Sequence, residues 1–352
     1  MKSSRPHHLL YHLLLLFCVT AFAQAPQTDF TQLDSISRKK KYNGDLPLLV
    51  SQLTESCTTQ TEKARAIFVW ITDNIAYDCK AFNKHKLPKR PKPKKGKNYN
   101  DIVAQWKIDY TNRVLRKGKA VCEGYAMLFK RMCDYAGLQT DYVPGYVKNQ
   151  PNQIGRMGTN DHAWNGIILD EKYYFLDVTW AAGGCTIDKK GHLDEFFKSF
   201  NNFYWLTPTE KFCMDHYPED KTNPGAAEYP VEKYRDNPYI KKDYIRNTEI
   251  TLPSKGIVEA KLGSVLTFSF NTDAYFEKIS LNTNTKRQKT YTINKDESNK
   301  YLEYTEDLTV IPFSKNDKQY TFQYTVTNPN VRFIEVYLDD EMVMRFNIKV
   351  NK

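Results

Sequence analysis

The sequence predicts an α+β fold in two parts, a mixed region of helices and strands followed by an all-β domain. Three observations lead to this prediction. Apolar residues recur at helical spacing before residue 140, strand-forming residues dominate between residues 140 and 180, and helical periodicity nearly disappears after Glu249. The chain has 352 residues, of which 41% are hydrophobic and 14% aromatic, so it can bury one or two sizeable cores.

Three segments have the apolar spacing of helices. Thr59 and Glu62 have the spacing of a capping box, and the apolar residues that follow at helical intervals are Ala64, Ile67, Phe68, Ile71 and Ile75. A second helix is predicted over about Asp109 to Arg116. The third begins at Cys122 and ends before Gly137, which stands where a helix-terminating glycine belongs. Cys122 is therefore predicted to lie at the N-terminal end of a buried helix.

Later segments are rich in Val, Ile, Tyr, Phe and Trp and are separated by polar turns, a pattern typical of strands. In the mixed region they are Thr140 to Lys148, His162 to Leu169 and Lys172 to Trp180. In the tail they are Val265 to Phe270, Tyr320 to Thr327, Val331 to Leu338 and Met342 to Val350. A tail of about 100 residues is a common size for a β-sandwich domain.

These elements divide the chain. We predict a signal peptide at residues 1–23, a helical lead-in at 24–58 and a mixed domain of helices and strands at 59–220. Residues 221–248, rich in Pro, Tyr and charge, are predicted to be a linker, and residues 249–352 the β-sandwich domain.

The first segment has the pattern of a secretory signal. A basic start is followed by an apolar stretch from about Leu13 to Phe22 and by the small-x-small pattern Ala21-Phe22-Ala23. That stretch is shorter than the about 20 residues of a membrane span. We therefore expect an exported, bacterial-type protein, secreted or periplasmic, cleaved after Ala23 and without a transmembrane span in the mature chain. A lipoprotein lipidated at Cys18 is the less favoured alternative, because Phe17 stands where a small residue is usual.

The net charge is concentrated in one place. Lys and Arg outnumber Asp and Glu by 51 to 41, a formal net charge of +10. Two of these charges lie in the signal and eight in Lys84–Lys97 (KHKLPKRPKPKKGK), which leaves the remainder balanced. Basicity therefore does not favour a nucleic-acid-binding protein. The Pro-rich, like-charged insert is predicted to be an exposed loop, either simply solvated or contacting an anionic cell-envelope surface or acidic substrates.

Three residues have the chemistry of a nucleophilic site. A helix N-terminus favours the thiolate form of a cysteine, and Cys122 has that position. The helix N–H groups beside it could also stabilise an oxyanion. His162 begins a strand, and Asp177 interrupts an apolar run in which a buried acid needs a partner.

A hairpin would bring the histidine and the acid together. If Asp170 and Glu171 form its turn, opposed residues have numbers that sum to 341, so His162 faces Thr179 and is a diagonal neighbour of Asp177 on one face. An acid on one ring nitrogen leaves the other nitrogen for a thiol, the arrangement of nucleophile, base and orienting group.

Structural explanations compete with each assignment. A cysteine on an apolar helix face is usually a core residue, as we expect for Cys133, and a lone histidine at a strand start is usually structural. The weak metal-ligand spacing of Cys213 with His216, and of Cys185 with His192, does not predict a zinc site, and no calcium-loop signature is present. We therefore predict no metal and no cofactor. Export would make disulfides among the remaining cysteines feasible, with a connectivity that spacing does not fix.

Three sequence blocks, in order and spacing, resemble the catalytic blocks of the transglutaminase-like superfamily. They are Ala120 to Ala126 (AVCEGYA), Asp161 to Asn165 (DHAWN) and Leu176 to Gly183 (LDVTWAAG). Residues 63–78 resemble the helix that opens this core. Tyr204 to Pro208, with Phe212, His216 and Pro218, resemble the segment that follows it in the kyphoscoliosis-peptidase-like branch. The resemblance covers about residues 59 to 220.

The resemblance implies a papain-like core in which Cys122 is the nucleophile, His162 the base and Asp177 the orienting acid. It implies a cysteine acyl-transfer enzyme that acts on protein or peptide amides through a thioester. The acceptor stays open between a lysine amine (transglutaminase), water on a glutamine thioester (deamidase) and water after peptide cleavage (protease). Trp106 is available as an oxyanion donor, but its spacing does not identify it. The alternative is a catalytically silent binding module or scaffold.

Overall fold

The computed structural model describes residues 29–85, 89–285, 289–295, 300–306 and 308–351. The predicted signal peptide and its cleavage site lie outside these ranges. Two hydrophobic cores are present in the described residues, one formed between Leu46 and Tyr234 and the other between Ile240 and Ile348. No helix in the described ranges is long and apolar enough to span a bilayer.

The helices of the described ranges are α1 (Thr31–Lys39), α2 (Leu46–Thr54), α3 (Gln60–Asn74), α4 (Cys79–Asn83), α5 (Tyr99–Lys117), α6 (Cys122–Tyr135), α7 (Val178–Ala182), α8 (Thr209–Phe212), α9 (Pro224–Glu228), α10 (Val231–Arg235) and α11 (Lys242–Ile245). The strands of the first region are β1 (Ala76–Tyr77), β2 (Lys119–Ala120), β3 (Thr140–Val147), β4 (Thr159–Leu169), β5 (Lys172–Leu176), β6 (Gly183–Ile187), β7 (Leu193–Lys198), β8 (His216–Pro218) and β9 (Tyr239–Ile240).

The strands of the tail are β10 (Thr248–Leu252), β11 (Ile257–Lys261), β12 (Val265–Thr272), β13 (Ile279–Thr283), β14 (Lys289–Lys295), β15 (Lys300–Glu306), β16 (Thr309–Val310), β17 (Phe313–Asn316), β18 (Gln319–Thr325), β19 (Phe333–Leu338) and β20 (Glu341–Asn351). The predicted α+β architecture with an all-β tail is thus confirmed.

Local signals explain where the core helices begin. The Thr59 hydroxyl accepts from the Glu62 N–H while the Glu62 carboxylate accepts from the Thr59 N–H, so the predicted capping box is present at the start of α3. Helix α5 begins ten residues before the predicted start, at Tyr99, because the Asn98 side chain caps it. Helix α6 begins at Cys122, as predicted.

The first core is a four-stranded antiparallel sheet, in the order β5-β4-β3-β8, with helices packed against it. Helix α6 packs on β3 and β4, and α3 packs on α6. The β4–β5 ladder has the predicted register, since Asn165 pairs with Leu176 and Leu169 with Lys172. This sheet sets β4, which carries His162, beside the helix that begins at Cys122.

One strand prediction in this sheet is wrong at its end. The strand predicted to run from Lys172 to Trp180 stops at Leu176, and the chain turns into α7. Asp177 caps that helix: its Oδ1 accepts from the N–H groups of Thr179 and Trp180, at 2.8 and 3.0 Å. The capping bonds of Asp177 outweigh the strand preference of Val178 and Thr179.

The helical lead-in is joined to the core by a buried ion pair. Asp34 of α1 accepts two hydrogen bonds from Arg65 of α3, at 2.8 and 2.7 Å, and Arg65 is 4% exposed. A bidentate pair of this kind pairs the two charges and also fixes the relative orientation of the two side chains. The guanidinium also lies 5.2 Å from the Trp205 ring centroid, so the Arg65 side chain contacts both the lead-in helix and the segment that follows the core.

In the residues that the structure describes, the tail has two facing sheets and a separate β14–β15 hairpin. One sheet has the order β10-β12-β18-β17, and the other contains β11-β20-β19-β13-β16. Aromatic residues of both sheets share the second core, where the Phe268 and Phe346 ring centroids lie 5.0 Å apart. Two sheets with a common apolar interior form a sandwich.

Residues 221–248, predicted to be a linker, contain α9, α10, β9 and α11. Tyr229 and Tyr234 are buried in the first core, whereas Ile240 and Ile245 are buried in the second. Strand β9 also pairs with β20 of the tail. This segment is therefore packed between the two cores, because its tyrosine and isoleucine side chains bury apolar surface that composition alone did not reveal. The predicted domain boundaries stay predictions.

Candidate active site

Cys122 is the first residue of α6, and its thiol faces the start of β4. Val121 precedes it in an extended conformation and makes no side-chain cap, so no side chain occupies the first N–H groups of the helix. The Cys122 Sγ lies 3.6 Å from the carbonyl oxygen of Asp161, the residue before His162. Cys122 is 5% exposed. The helix end thus brings the thiol to the histidine strand.

His162 and Asp177 form a buried hydrogen-bonded pair. The His162 Nε2 lies 2.6 Å from the Asp177 Oδ2, and Asp177 is fully buried. Burial alone would lower the pKa of His162, but the Asp177 carboxylate, with a smaller contribution from Cys122, raises it to about 9. The same charge pairing outweighs the effect of burial on Asp177 and holds its pKa well below the usual range. The predicted contact between His162 and Asp177 is confirmed.

A second histidine binds the same carboxylate. The His216 Nε2 lies 3.3 Å from the Asp177 Oδ2, and its Nδ1 lies 2.5 Å from the Asp215 Oδ1. Burial would lower the pKa of His216, but Asp215 and then Asp177 raise it to about 9. His216 is fully buried, at the start of β8. One oxygen of Asp177 therefore holds both imidazoles, while its other oxygen caps α7.

Aromatic rings enclose the two imidazoles. The Trp180 ring centroid lies 5.2 Å from that of His162 and 4.4 Å from that of His216. On the other side, Phe212 stacks on His216 at 4.3 Å, and Trp164 meets it edge-on at 5.0 Å. These rings exclude water from the carboxylate, which strengthens its interaction with both histidines.

Most of the first core lies in a part of the chain that matches a known family. Residues 48–178 match the family model described as the transglutaminase-like superfamily. The chain contains a transglutaminase-like domain. Cys122, His162 and Asp177 all lie within the matched residues, so the sequence resemblance and the geometry concern the same part of the molecule.

Curated proteins similar to this part of the chain include two from animals. The human protein named kyphoscoliosis peptidase is 34% identical over 220 residues, 61% of this chain and 30% of that protein. The protein named hillarin from Drosophila melanogaster is 26% identical over 208 residues, 56% of this chain and 23% of that protein. The chain thus spans less than a third of the length of these relatives. A solved structure titled "Crystal structure of a TGase" superposes with a TM-score of 0.27 at 20% identity, covering 48% of this chain and 37% of that one.

Sequence reasoning did not give His216 a role beside the acid. The sequence places His216 in the segment that resembles the kyphoscoliosis-peptidase-like branch and at a weak metal-ligand spacing from Cys213, and neither pattern links it to Asp177. Asp177 and His216 are 39 positions apart in the chain, so local spacing could not predict the contact between them. The adjacent pair Asp215-His216 behind the apolar run of Phe212 was the available signal, because a buried histidine needs polar partners.

Among the described residues, neither Cys213 nor Cys185 belongs to a group of three ligand-type side chains. The group there with three nearby ligand-type side chains is His162, Asp177 and His216, whose candidate atoms lie within 4.8 Å of one another. Two of those atoms already share the 2.6 Å hydrogen bond. His192 instead faces Asp188, at 3.3 Å. The arrangement of the transglutaminase-like domain is thus that of an acid holding two imidazoles.

Tyrosine side chains surround the nucleophile end of the transglutaminase-like domain. The pKa values of Tyr77, Tyr110 and Tyr142 are raised, mainly by burial and in part by the proximity of Cys122. Their hydroxyls therefore stay protonated and can donate hydrogen bonds. Trp106 is half-buried against the first core and stacks on the buried Tyr110, with ring centroids 5.9 Å apart. Among the described residues, no contact joins Trp106 to Cys122. The structure therefore does not support Trp106 as an oxyanion donor.

A cationic cavity adjoins the start of α6. Its volume is about 790 Å³, and Ala120 and Val121, the residues before the nucleophile, form part of its wall. The basic residues that line it are Lys80, Lys84, Lys89, Arg113, Lys117 and Lys119. They come from the insert and from α4, α5 and β2 of the core, and Asp78 is the acid among the lining residues. Cations from separate parts of the chain therefore converge beside the site.

Proposed function

We propose that this protein is an exported cysteine acyl-transfer enzyme that acts on protein or peptide amides. The observation that supports it best is the buried contact between His162 and Asp177, set beside a cysteine at an uncapped helix N-terminus. A histidine and an aspartate that only stabilise the fold would not need a thiol beside them. Acyl transfer needs a nucleophile next to a base, and the base next to an orienting acid.

The proposed reaction proceeds in two steps. The raised pKa of His162 means that the imidazole already carries the Cys122 proton, so the sulfur attacks the amide carbonyl as a thiolate, and the N–H groups at the start of α6 stabilise the oxyanion. The C–N bond then breaks, and the leaving amine or ammonia takes a proton from His162. A water or an amine attacks the thioester and gives its proton to His162, and the Cys122 sulfur leaves as a thiolate beside the charged imidazole. Asp177 keeps the imidazole oriented and stabilises its charged form.

The acceptor decides among transglutaminase, deamidase and protease outcomes. The test is incubation with a mixed peptide pool and a tagged primary amine, followed by mass spectrometry. Tag incorporation, conversion of glutamine to glutamate, or cleavage each identifies one outcome. Cys122→Ser should abolish the product, whereas Cys57→Ser, at a half-buried cysteine outside the site, should retain it. Absence of any Cys122-dependent product would contradict the proposal.

One observation favours the alternative of a catalytically silent module: Cys122 is only 5% exposed, so a substrate must displace part of its surroundings. Thiol reactivity separates the two functions. We expect Cys122 to alkylate much faster than Cys133, which is fully buried and whose pKa burial raises well above the ordinary value. His162→Ala should remove the difference. Equal rates in the wild-type protein would favour the silent module.

We further propose that the cationic cavity binds acidic residues of the substrate. The convergence of Arg113 and Lys117 with the insert residues on a cavity beside Val121 supports this. Arg113→Glu together with Lys117→Glu should weaken binding of an acidic peptide to the Cys122→Ser protein and reduce its salt dependence. Unchanged peptide binding with weakened binding to anionic vesicles would favour an envelope surface instead.

Export is proposed from the sequence pattern of residues 1–23. The measurement is the intact mass of the protein recovered from the medium or periplasm of a bacterial host. A mature chain that begins at Gln24 is expected. A full-length chain retained inside the cell would contradict export, and a lipid-modified mass would indicate the lipoprotein alternative.

A further inference from the structure

Two cysteines outside the catalytic set lie in contact. The Sγ atoms of Cys79 and Cys185 are 2.8 Å apart, although 106 residues separate them in the chain. Cys79, the first residue of α4, is 4% exposed, and Cys185 lies half-buried in β6. The separation exceeds the length of a disulfide bond, about 2.0 Å, by less than 1 Å. Only a small side-chain movement is therefore needed to join them.

Other contacts hold the two elements together independently of the sulfurs. The Asn83 side chain donates to the Leu193 carbonyl at 2.6 Å and accepts from the Leu193 N–H at 3.1 Å. These paired bonds dock α4 on β7, the partner strand of β6. The hydrogen bonds between Asn83 and Leu193 thus hold Cys79 close to Cys185 without any bond between the two sulfurs.

A metal site or a thiol hydrogen bond explains the contact between Cys79 and Cys185 less well than a disulfide bond does. In the described part of the chain, the group of three potential metal ligands lies elsewhere, at His162, Asp177 and His216. A thiol is a weak donor and a weak acceptor, so the S–H contact contributes little by itself.

We propose that Cys79 and Cys185 form a disulfide bond that ties the β6–β7 hairpin to α4, the helix that follows β1. The co-reactant is a small-molecule disulfide such as oxidised glutathione. The Cys79 thiolate attacks the oxidant and releases one thiol, and the Cys185 thiolate then displaces the second from the mixed disulfide. The two protein thiols lose two electrons and two protons, which reduce the oxidant to two thiols.

The bond would fix one wall of the proposed active site. Tyr77, two residues before Cys79, pairs with Ala120, and the Asp78 N–H donates to the Ala120 carbonyl at 2.9 Å. Ala120 lies two residues before Cys122. Burial first, and then Cys122, Cys185 and Cys79, raise the pKa of Tyr77, which is consistent with its position among all three sulfurs. The disulfide itself does not depend on the proposed catalysis.

The test is a thiol map of the full-length protein. The protein is incubated with oxidised glutathione or with dithiothreitol, its free thiols are alkylated in denaturant, and unreduced peptides are analysed by mass spectrometry. The expected result is a peptide pair that links Cys79 to Cys185 in the oxidised sample only, with Cys133 alkylated in both. Alkylation of Cys79 and Cys185 after oxidation, or a link to another cysteine, would overturn the proposal.

A stability measurement gives a second readout. Because the bond closes a long loop, the oxidised wild-type protein should have a higher Tm than the reduced protein. Cys79→Ser and Cys185→Ser should each remove this redox dependence, and the control Cys57→Ser should keep it. A redox-dependent Tm that survives Cys79→Ser would contradict the assignment. Neither readout requires turnover, so the failure of the disulfide and the failure of catalysis are distinguishable.

Discussion

His216 lies 3.3 Å from the same Asp177 oxygen that His162 approaches to 2.6 Å. Both histidines therefore share the Asp177 carboxylate. Its negative charge stabilises the charged form of each buried imidazole. Its second oxygen is occupied by the N–H groups that begin α7. Asp177 thus has no remaining freedom to rotate away from either histidine.

The first prediction concerns the acid. Asp177→Asn keeps an oxygen that can cap α7 but removes the negative charge beside His162. The pKa of His162 should fall from about 9 toward or below its ordinary value, and kcat should drop by about 10²- to 10⁴-fold. Titration of the ring by NMR and steady-state kinetics measure the two effects. An unchanged pKa would mean that Asp177 does not control the imidazole.

The second prediction assigns His216 a positioning role. His216→Phe keeps an aromatic ring among Phe212 and Trp180 but removes the donor to Asp177. Because His216 no longer shares the carboxylate, the pKa of His162 should rise further and shift the pH profile of kcat upward. A loss of about tenfold in kcat, equivalent to about 1.4 kcal/mol, is expected.

The matched control is His216→Gln, which retains a side-chain donor and should restore part of the activity and of the pH profile. A purely structural role for His216 would lower the yield of folded enzyme and leave the pH profile of the folded fraction unchanged. Thermal unfolding of both variants, measured beside the kinetics, separates these outcomes.

The third prediction concerns the pH dependence of stability. The pKa values of His162 and His216 are raised to about 9 in the folded protein, so it binds more protons than the unfolded chain above about pH 6.5. The free energy of unfolding should therefore fall as the pH rises from about 6.5 to about 9. The pKa of Asp177 is lowered, so its contribution is lost instead below about pH 4.

Denaturant unfolding between about pH 5 and pH 9 measures this slope. His216→Phe should show a smaller decline because one of the two raised groups is absent. A wild-type free energy of unfolding that stays flat or increases over this range would contradict the charged histidine pair.

The fourth prediction concerns Gly124, on the turn of α6 that holds Cys122. A Cβ atom there would lie 2.7 Å from the Ala120 Cβ and 2.9 Å from the Tyr110 hydroxyl. Gly→Ala usually stabilises a helix by about 0.5–1 kcal/mol, but here overpacking should destabilise the protein by about 1–3 kcal/mol and lower its activity. Chemical denaturation measures the sign. Tyr110→Phe in the same chain should recover part of the loss, whereas a stabilising Gly124→Ala would contradict this packing.

Local patterns predicted much of the fold. The capping box at Thr59, the start of α6 at Cys122 and the β4–β5 register all depend on residues close in sequence, and the structure has them as predicted. The contact of His162 with Asp177 was also predicted, but it forms beyond the end of that ladder: the chain turns into α7 at Asp177, and the predicted pairing of His162 with Thr179 is not formed. Its catalytic meaning stays a prediction.

What the sequence did not reveal depends on distant contacts or on competing local preferences. Asp177 was predicted within a strand because β-branched and aromatic residues follow it, whereas its carboxylate instead caps a short helix. The contact of His216 with Asp177, and that of Cys79 with Cys185, required the folded sheet and hairpin to bring them together.

The segment between the two cores has one more consequence. Strand β9 belongs to the sheet of the tail, while Lys148 of the first core donates to the carbonyls of Tyr234 and Arg235 just before it, at 2.5 and 2.7 Å. A protease that nicked the chain near residue 247 would leave β9 in the N-terminal fragment and its partner β20 in the C-terminal one. The fragments should therefore co-elute as a non-covalent complex, and either fragment expressed alone would carry an unpaired strand edge prone to aggregation.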